Sequence, residues 1–92
     1  RTEYEFSKSN FELANIEMLK RFFVESKGEC ENLLKNNLSL PAYDYCLKCS
    51  HLFNLLDARG SISVTERARY ILEIRELAKK SAELYLETYE NK

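Results

Sequence analysis

Apolar side chains recur along this chain at intervals of three and four, the repeat of an α-helix with one buried face. Punctuating residues divide the pattern into three helices. The first is expected to start near Asn15, whose side chain suits the N-cap, and to run to about Asn36. Its apolar residues Ile16, Leu19, Phe22, Phe23, Cys30, Leu33 and Leu34 form one stripe about 120° wide. Gly28 interrupts that helix at a cost of up to about 1 kcal/mol relative to Ala, which points to a local bend or tight packing there.

The second helix is expected from Pro41, which suits the first helical position, to about Ala58, with Gly60 as its stop. Its main face gathers Ala42, Tyr45, Cys46, Cys49, Leu52, Phe53 and Leu56, while Leu47 and Leu55 project to the opposite side. The third has the clearest start. Ser63 followed by Glu66 forms a capping box, and the helix is expected over Val64 to about Glu90. Its main face carries Val64, Ala68, Ile71, Leu72, Ile74, Ala78, Ala82, Tyr85, Leu86 and Tyr89. On its other side Tyr70, Leu77 and Leu84 recur every seventh position.

The pattern therefore predicts an all-α fold, a small bundle of three main helices over about 15–36, 41–58 and 64–90, behind an irregular or partly helical segment at 1–14. A bundle needs one buried face per helix. Leu47 and Leu55 with His51 beside them, and Tyr70, Leu77 and Leu84, are left over and are expected to meet something outside these residues. The plainer alternative is that scattered exposed apolar side chains are normal.

Composition agrees with this architecture. The 92 residues suffice for one core, and 45% hydrophobic with 32% charged residues, two Gly and one Pro suit a helix-rich globule. The net charge is −1, with acids and bases interspersed throughout, so no basic field advertises nucleic-acid binding. No apolar run is long enough to span a membrane, and no basic-then-apolar leader opens the chain. A cytoplasmic location with three reduced Cys is expected.

The chemistry offered is sparse. Cys46, Cys49 and His51 resemble a metal or haem motif, but on a helix His51 lies about 140° and about 160° from the two thiols, so the three cannot converge. Thiols on the core face are expected to be held protonated by burial, which disfavours a Cys–His nucleophile. With Gly only at 28 and 60 there is no phosphate-binding loop. Four-apart pairs Arg69–Glu73, Glu76–Lys80 and Lys79–Glu83 describe a solvated face. Arg75 projects near the centre of the apolar face assigned to the third helix, which requires an ion pair or snorkelling. Asp57, Arg59 and Arg67 gather at the second corner, as a mutually capped turn or an RNA phosphate contact. No catalytic, cofactor-binding or metal-ligating residue is expected.

Three runs carry a resemblance: Leu40-Pro41-Ala42-Tyr43-Asp44-Tyr45, Ser50-His51-Leu52-Phe53-Asn54-Leu55-Leu56-Asp57-Ala58-Arg59-Gly60, and Ile62-Ser63-Val64-Thr65-Glu66-Arg67-Ala68-Arg69-Tyr70-Ile71-Leu72. With Asn10-Phe11-Glu12 and Ala14-Asn15 they resemble the C-terminal region of bacterial glycyl-tRNA synthetase alpha chains. The resemblance implies a class II ligase of two alpha and two beta chains, joining glycine to tRNA(Gly) through glycyl-adenylate with ATP and Mg. It further implies that 1–14 connects to a missing upstream catalytic domain and that 15–92 is a non-catalytic helical domain. The implied partners are that catalytic domain, a beta chain and, through the whole enzyme, tRNA(Gly). The family's ATP-binding signatures have no counterpart here. Spacing alone would have favoured a free-standing helical adaptor, and a small RNA-binding domain is opposed by the charge distribution.

Overall fold

The structure, a computed structural model, describes residues 2–9 and 15–90, and these contain no strand. Four helices appear: α1 (Thr2–Lys8), α2 (Ile16–Lys35), α3 (Ser39–Ala58) and α4 (Val64–Tyr85), the last passing into a π-helical turn at Leu86–Glu90. α1 makes the N-terminal segment partly helical and touches none of the other helices. Phe11, Glu12 and the rest of 10–14 lie outside the described residues, as do position 1 and the last two.

Local chemistry sets most boundaries. Asn15 Oδ1 accepts a hydrogen bond from the Met18 amide at 2.9 Å, satisfying one of the amides that lack a partner at a helix start. α2 ends with Asn37 in the left-handed region at φ 62°. The Leu38 amide then donates back to the Leu33 carbonyl at 2.9 Å and Asn37 to Leu34 at 3.1 Å, a Schellman stop built on Asn. α3 stops in the same way, with Gly60 at φ 64° and Ser61 and Gly60 donating to Leu56 and Asp57. α3 begins at Ser39, two residues ahead of Pro41. Pro41 is harmless there because the first turn's amides have no intrahelical acceptor to lose. The first carbonyl of that helix, on Leu38, is taken by Ala42 at 3.1 Å. At α4 the capping box closes both ways, each bond 3.1 Å long.

α3 is the middle rod. It runs antiparallel to α2 and to α4, which therefore lie parallel and touch along part of their length. There Phe23 presses edge-on against Tyr70, with ring centres 4.6 Å apart, while Lys20 reaches Glu66 at 4.0 Å and Lys27 reaches Glu73 at 3.9 Å. The core comprises Leu19, Phe23 and Cys30 of α2, the face of α3 from Ala42 to Leu56, and Tyr70 and Leu77 of α4.

Three expectations about faces are overturned. Leu55 is 4% exposed, Tyr70 4% and Leu77 2%, so none is left over for a partner. Leu55 is covered because a middle rod has neighbours on two sides and buries more than one stripe. α4 is rotated from the expected face. Its seam runs Tyr70, Ile74, Leu77, Ser81, spaced four, three and four, and leaves Val64, Leu72, Tyr85, Leu86 and Tyr89 exposed. Two physical causes favour this rotation: Tyr70 fills the space between Phe23 and Phe53, and Arg75 stays in water instead of crossing the core. Ser81 disguised the seam. It is buried, and its hydroxyl donates to the Leu77 carbonyl at 2.8 Å, so it packs as a small residue. Leu84 is half-buried at the edge of that seam.

Phe22 is the corresponding correction on α2. It adjoins Phe23 in sequence, the two point about 100° apart, and only Phe23 reaches the core while Phe22 is 44% exposed. At Gly28 an added Cβ would meet nothing within 4 Å, so tight packing does not explain that glycine.

Candidate functional site

The exposed remainder of the expected interface, Leu47 and His51, does not stand alone. α2 and α3 lie side by side, and positions spaced three, four and seven share a face of a helix. The face of α2 with Phe22, Glu25, Ser26 and Glu29 therefore borders the face of α3 with Asp44, Leu47, Lys48 and His51. Between them lies an open groove of 650 Å³ with Tyr45 and Leu52 among its lining residues. Phe22 and Leu47, at 44% and 48% exposure, bring apolar side chains to it from the two walls.

The rim is polar and unbalanced. Glu25, Glu29 and Asp44 are three carboxylates against one ammonium, that of Lys48. Lys48 Nζ lies 4.0 Å from the centre of the Tyr45 ring, a cation–π contact that draws it onto the helix surface. Glu29 accepts a weak 3.4 Å bond from the Asn32 side chain. Among the described residues neither Glu25 nor Asp44 has a cation within 4.0 Å.

A second recess, 440 Å³, is lined by Ser39, Leu40, Tyr43, Ser81, Ala82, Tyr85 and Leu86 and contains no charge. Tyr85 packs against Tyr89 at its edge, ring centres 4.9 Å apart.

The corner residues engage one another. Arg67 Nε donates to Asp57 Oδ1 at 3.2 Å across the turn, and Arg59 is half-buried nearby. Both partners of the pair are solvated, so it contributes at most about 1 kcal/mol. On α4 the expected Arg69–Glu73 pair forms at 2.7 Å, whereas Glu76–Lys80 and Lys79–Glu83 are not within 4.0 Å.

The thiols lie on the far side of the wall from His51. Cys30, Cys46 and Cys49 are buried at the junction of the three main helices. Cys46 Sγ faces the Ile74 carbonyl at 3.8 Å and Cys49 Sγ the Phe23 carbonyl at 3.9 Å. Burial pushes all three upward in pKa, Cys49 to about 12, with the neighbouring thiols adding to the effect at Cys30 and Cys49. Such thiols remain protonated at neutral pH and pack as small apolar groups. Among the described residues no group of three His, Cys, Asp or Glu converges on a metal-sized site, and no helix is long and apolar enough to cross a membrane.

Sequence reasoning placed Leu47 and His51 on an exposed surface and missed Phe22, Glu25 and Glu29 across from them. The available signal was the Phe22-Phe23 pair, since adjacent residues on a helix cannot share one narrow face.

The groove brings two exposed apolar side chains and three carboxylates together, and comparison with known proteins gives the family of the chain. The glycyl-tRNA synthetase alpha subunit family matches residues 1–90. Two glycine–tRNA ligase alpha subunits, from Rickettsia bellii strains OSU 85-389 and RML369-C, are each 58% identical over 85 residues, which is 92% of this chain. The chain spans 29% of the length of those relatives. A family match over residues 1–90, with 58% identity across 92% of the chain, means that this chain belongs to the glycyl-tRNA synthetase alpha subunit family.

Proposed function

We propose that this chain is the non-catalytic C-terminal helical region of a glycine–tRNA ligase alpha chain, and that it serves assembly of the enzyme. Residues 1–14 act as the connection to a catalytic domain, and 15–92 as the helical unit that docks it or the beta chain. The whole enzyme, in the cytoplasm, joins glycine to tRNA(Gly) through glycyl-adenylate, using ATP and Mg held by the catalytic domain. The 58% identity to glycine–tRNA ligase alpha subunits carries this reading. Burial that holds the three thiols protonated supports a region without a cysteine nucleophile. The groove with Phe22 and Leu47 exposed on its two walls supports a docking role.

Glycine-dependent ATP–pyrophosphate exchange tests the first part. The 92-residue chain alone is expected to show none, whereas a full alpha chain with its beta chain is active; exchange by the short chain would refute the assignment. Sedimentation velocity tests the second. Phe22→Ser with Leu47→Ser in a full alpha chain is expected to leave helix content unchanged while weakening assembly. Assembly indistinguishable from that of the unmodified chain would sink the docking role of this groove.

A further inference from the structure

The same groove carries information about what it receives, and the inference deepens the docking role above and rests on it. We propose that the α2–α3 groove takes a basic amphipathic helix, seating apolar side chains against Phe22 and Leu47 and setting Lys or Arg against Glu25, Glu29 and Asp44.

The carboxylates are the deciding observation. Three line the groove, and its one cation, Lys48, is held over Tyr45. Some surface carboxylates on this chain pair with cations, as Asp57 does with Arg67 at 3.2 Å and Glu73 with Arg69 at 2.7 Å, and others, Glu76 and Glu83 among them, do not among the described residues; the acids of this groove differ in sharing it with the exposed Phe22 and Leu47. Glu25 and Asp44 have no cation within 4.0 Å among the described residues. They stand on opposite walls with apolar side chains beside them, Glu25 on α2 and Asp44 on α3. A helix laid between two antiparallel helices presents apolar residues downward and flanking residues to either wall, so its flanks meet these acids on both sides. Matched charge of this kind chooses the partner and speeds the encounter. A second copy of this chain using the same groove would set these acids against their own kind, which disfavours self-association here.

The test uses the 92-residue chain and two synthetic helical peptides of about 18 residues, each with Leu at positions i, i+3, i+4 and i+7. One carries Lys on both flanks and the other Glu. The Lys peptide is expected to bind, with amide shift changes at Phe22, Leu47 and His51, and to bind at least about tenfold tighter than its Glu twin. Its affinity falls roughly tenfold between about 0.05 M and about 0.5 M salt, because the rim charges are solvated. The triple variant Glu25→Lys, Glu29→Lys, Asp44→Lys, all at the surface, is expected to reverse the preference while keeping the parent's circular dichroism. Leu47→Ala, a milder change, weakens binding of the Lys peptide without altering its charge preference.

Equal binding of both peptides, no binding of either, shift changes confined to the Leu40–Tyr85 recess, or self-association of the unmodified chain through the groove would each overturn the proposal. Failure here is separable from failure of the docking role. If the peptides do not discriminate yet Phe22→Ser with Leu47→Ser still weakens assembly, docking stands and the basic partner is rejected. If that double variant assembles normally, docking itself falls.

Discussion

Gly28 shows how a single residue can be suboptimal without serving the fold. It is exposed in the middle of α2 and has open space where a side chain would sit. Gly28→Ala is therefore expected to stabilise the protein by about 0.5–1 kcal/mol in urea unfolding. The buried thiols give a second prediction at this scale. Cys30, Cys46 and Cys49 should resist a thiol reagent at neutral pH and react together only when denaturant opens the core. Their raised pKa values also set an alkaline limit. Unfolded thiols begin to ionise near their ordinary value of 9.0, while Cys49 in the folded chain holds its proton to about 12. Proton binding then favours the folded state fully below that lower value, and the advantage is lost as pH rises between the two. A pH series of urea midpoints should decline across this window. Glu66 acts oppositely at the acid end. The Ser63 amide and nearby Lys20 hold its carboxyl below the usual carboxylate range, so the capping box weakens as pH falls and the carboxylate is protonated.

At the scale of elements, α4 carries the sharpest test, because its buried seam is not the face with the most apolar residues. Leu77→Ala is expected to cost about 2–5 kcal/mol, whereas Leu72→Ala, one turn away on the exposed side, should cost less than about 0.5 kcal/mol. Equal costs in denaturant titrations would mean that α4 is rotated back toward the face that periodicity favours. Burial of Leu77 also means that Leu77→Ser perturbs the fold itself and cannot report cleanly on assembly. Helix limits were legible in the chain because capping is local: Asn15, Gly60 and the Ser63–Glu66 box each act within four residues of themselves. Facial assignment was less legible. Ser81 counts as polar yet packs as small, and Ala68 and Ala82 count as apolar yet lie in solvent.

At the scale of the whole molecule, the helices that pack together among the described residues are α2, α3 and α4, with α3 in the middle. α1 touches none of them and exposes Tyr4 and Phe6. Removing residues 2–9 is therefore expected to leave the melting midpoint within about 2 °C of the parent by differential scanning calorimetry. A larger fall would show that α1 contributes to the core. The candidate groove belongs to this scale too, since its walls come from two helices and exist only when α2 and α3 are packed.

What the chain determined by itself is what short-range chemistry can decide: the helical class, the starts and stops, the protonated thiols, and the runs from Leu40 to Leu72 that carry the family likeness. Tertiary structure alone decided which stripe of α4 goes inward, which of Phe22 and Phe23 is buried, and that Leu47 and His51 share a groove with Glu25 and Glu29. The physical reason is that a helix with two apolar stripes has no intrinsic inside. Its orientation is settled by the partner that offers the better fit, here the pocket between Phe23 and Phe53 that Tyr70 fills.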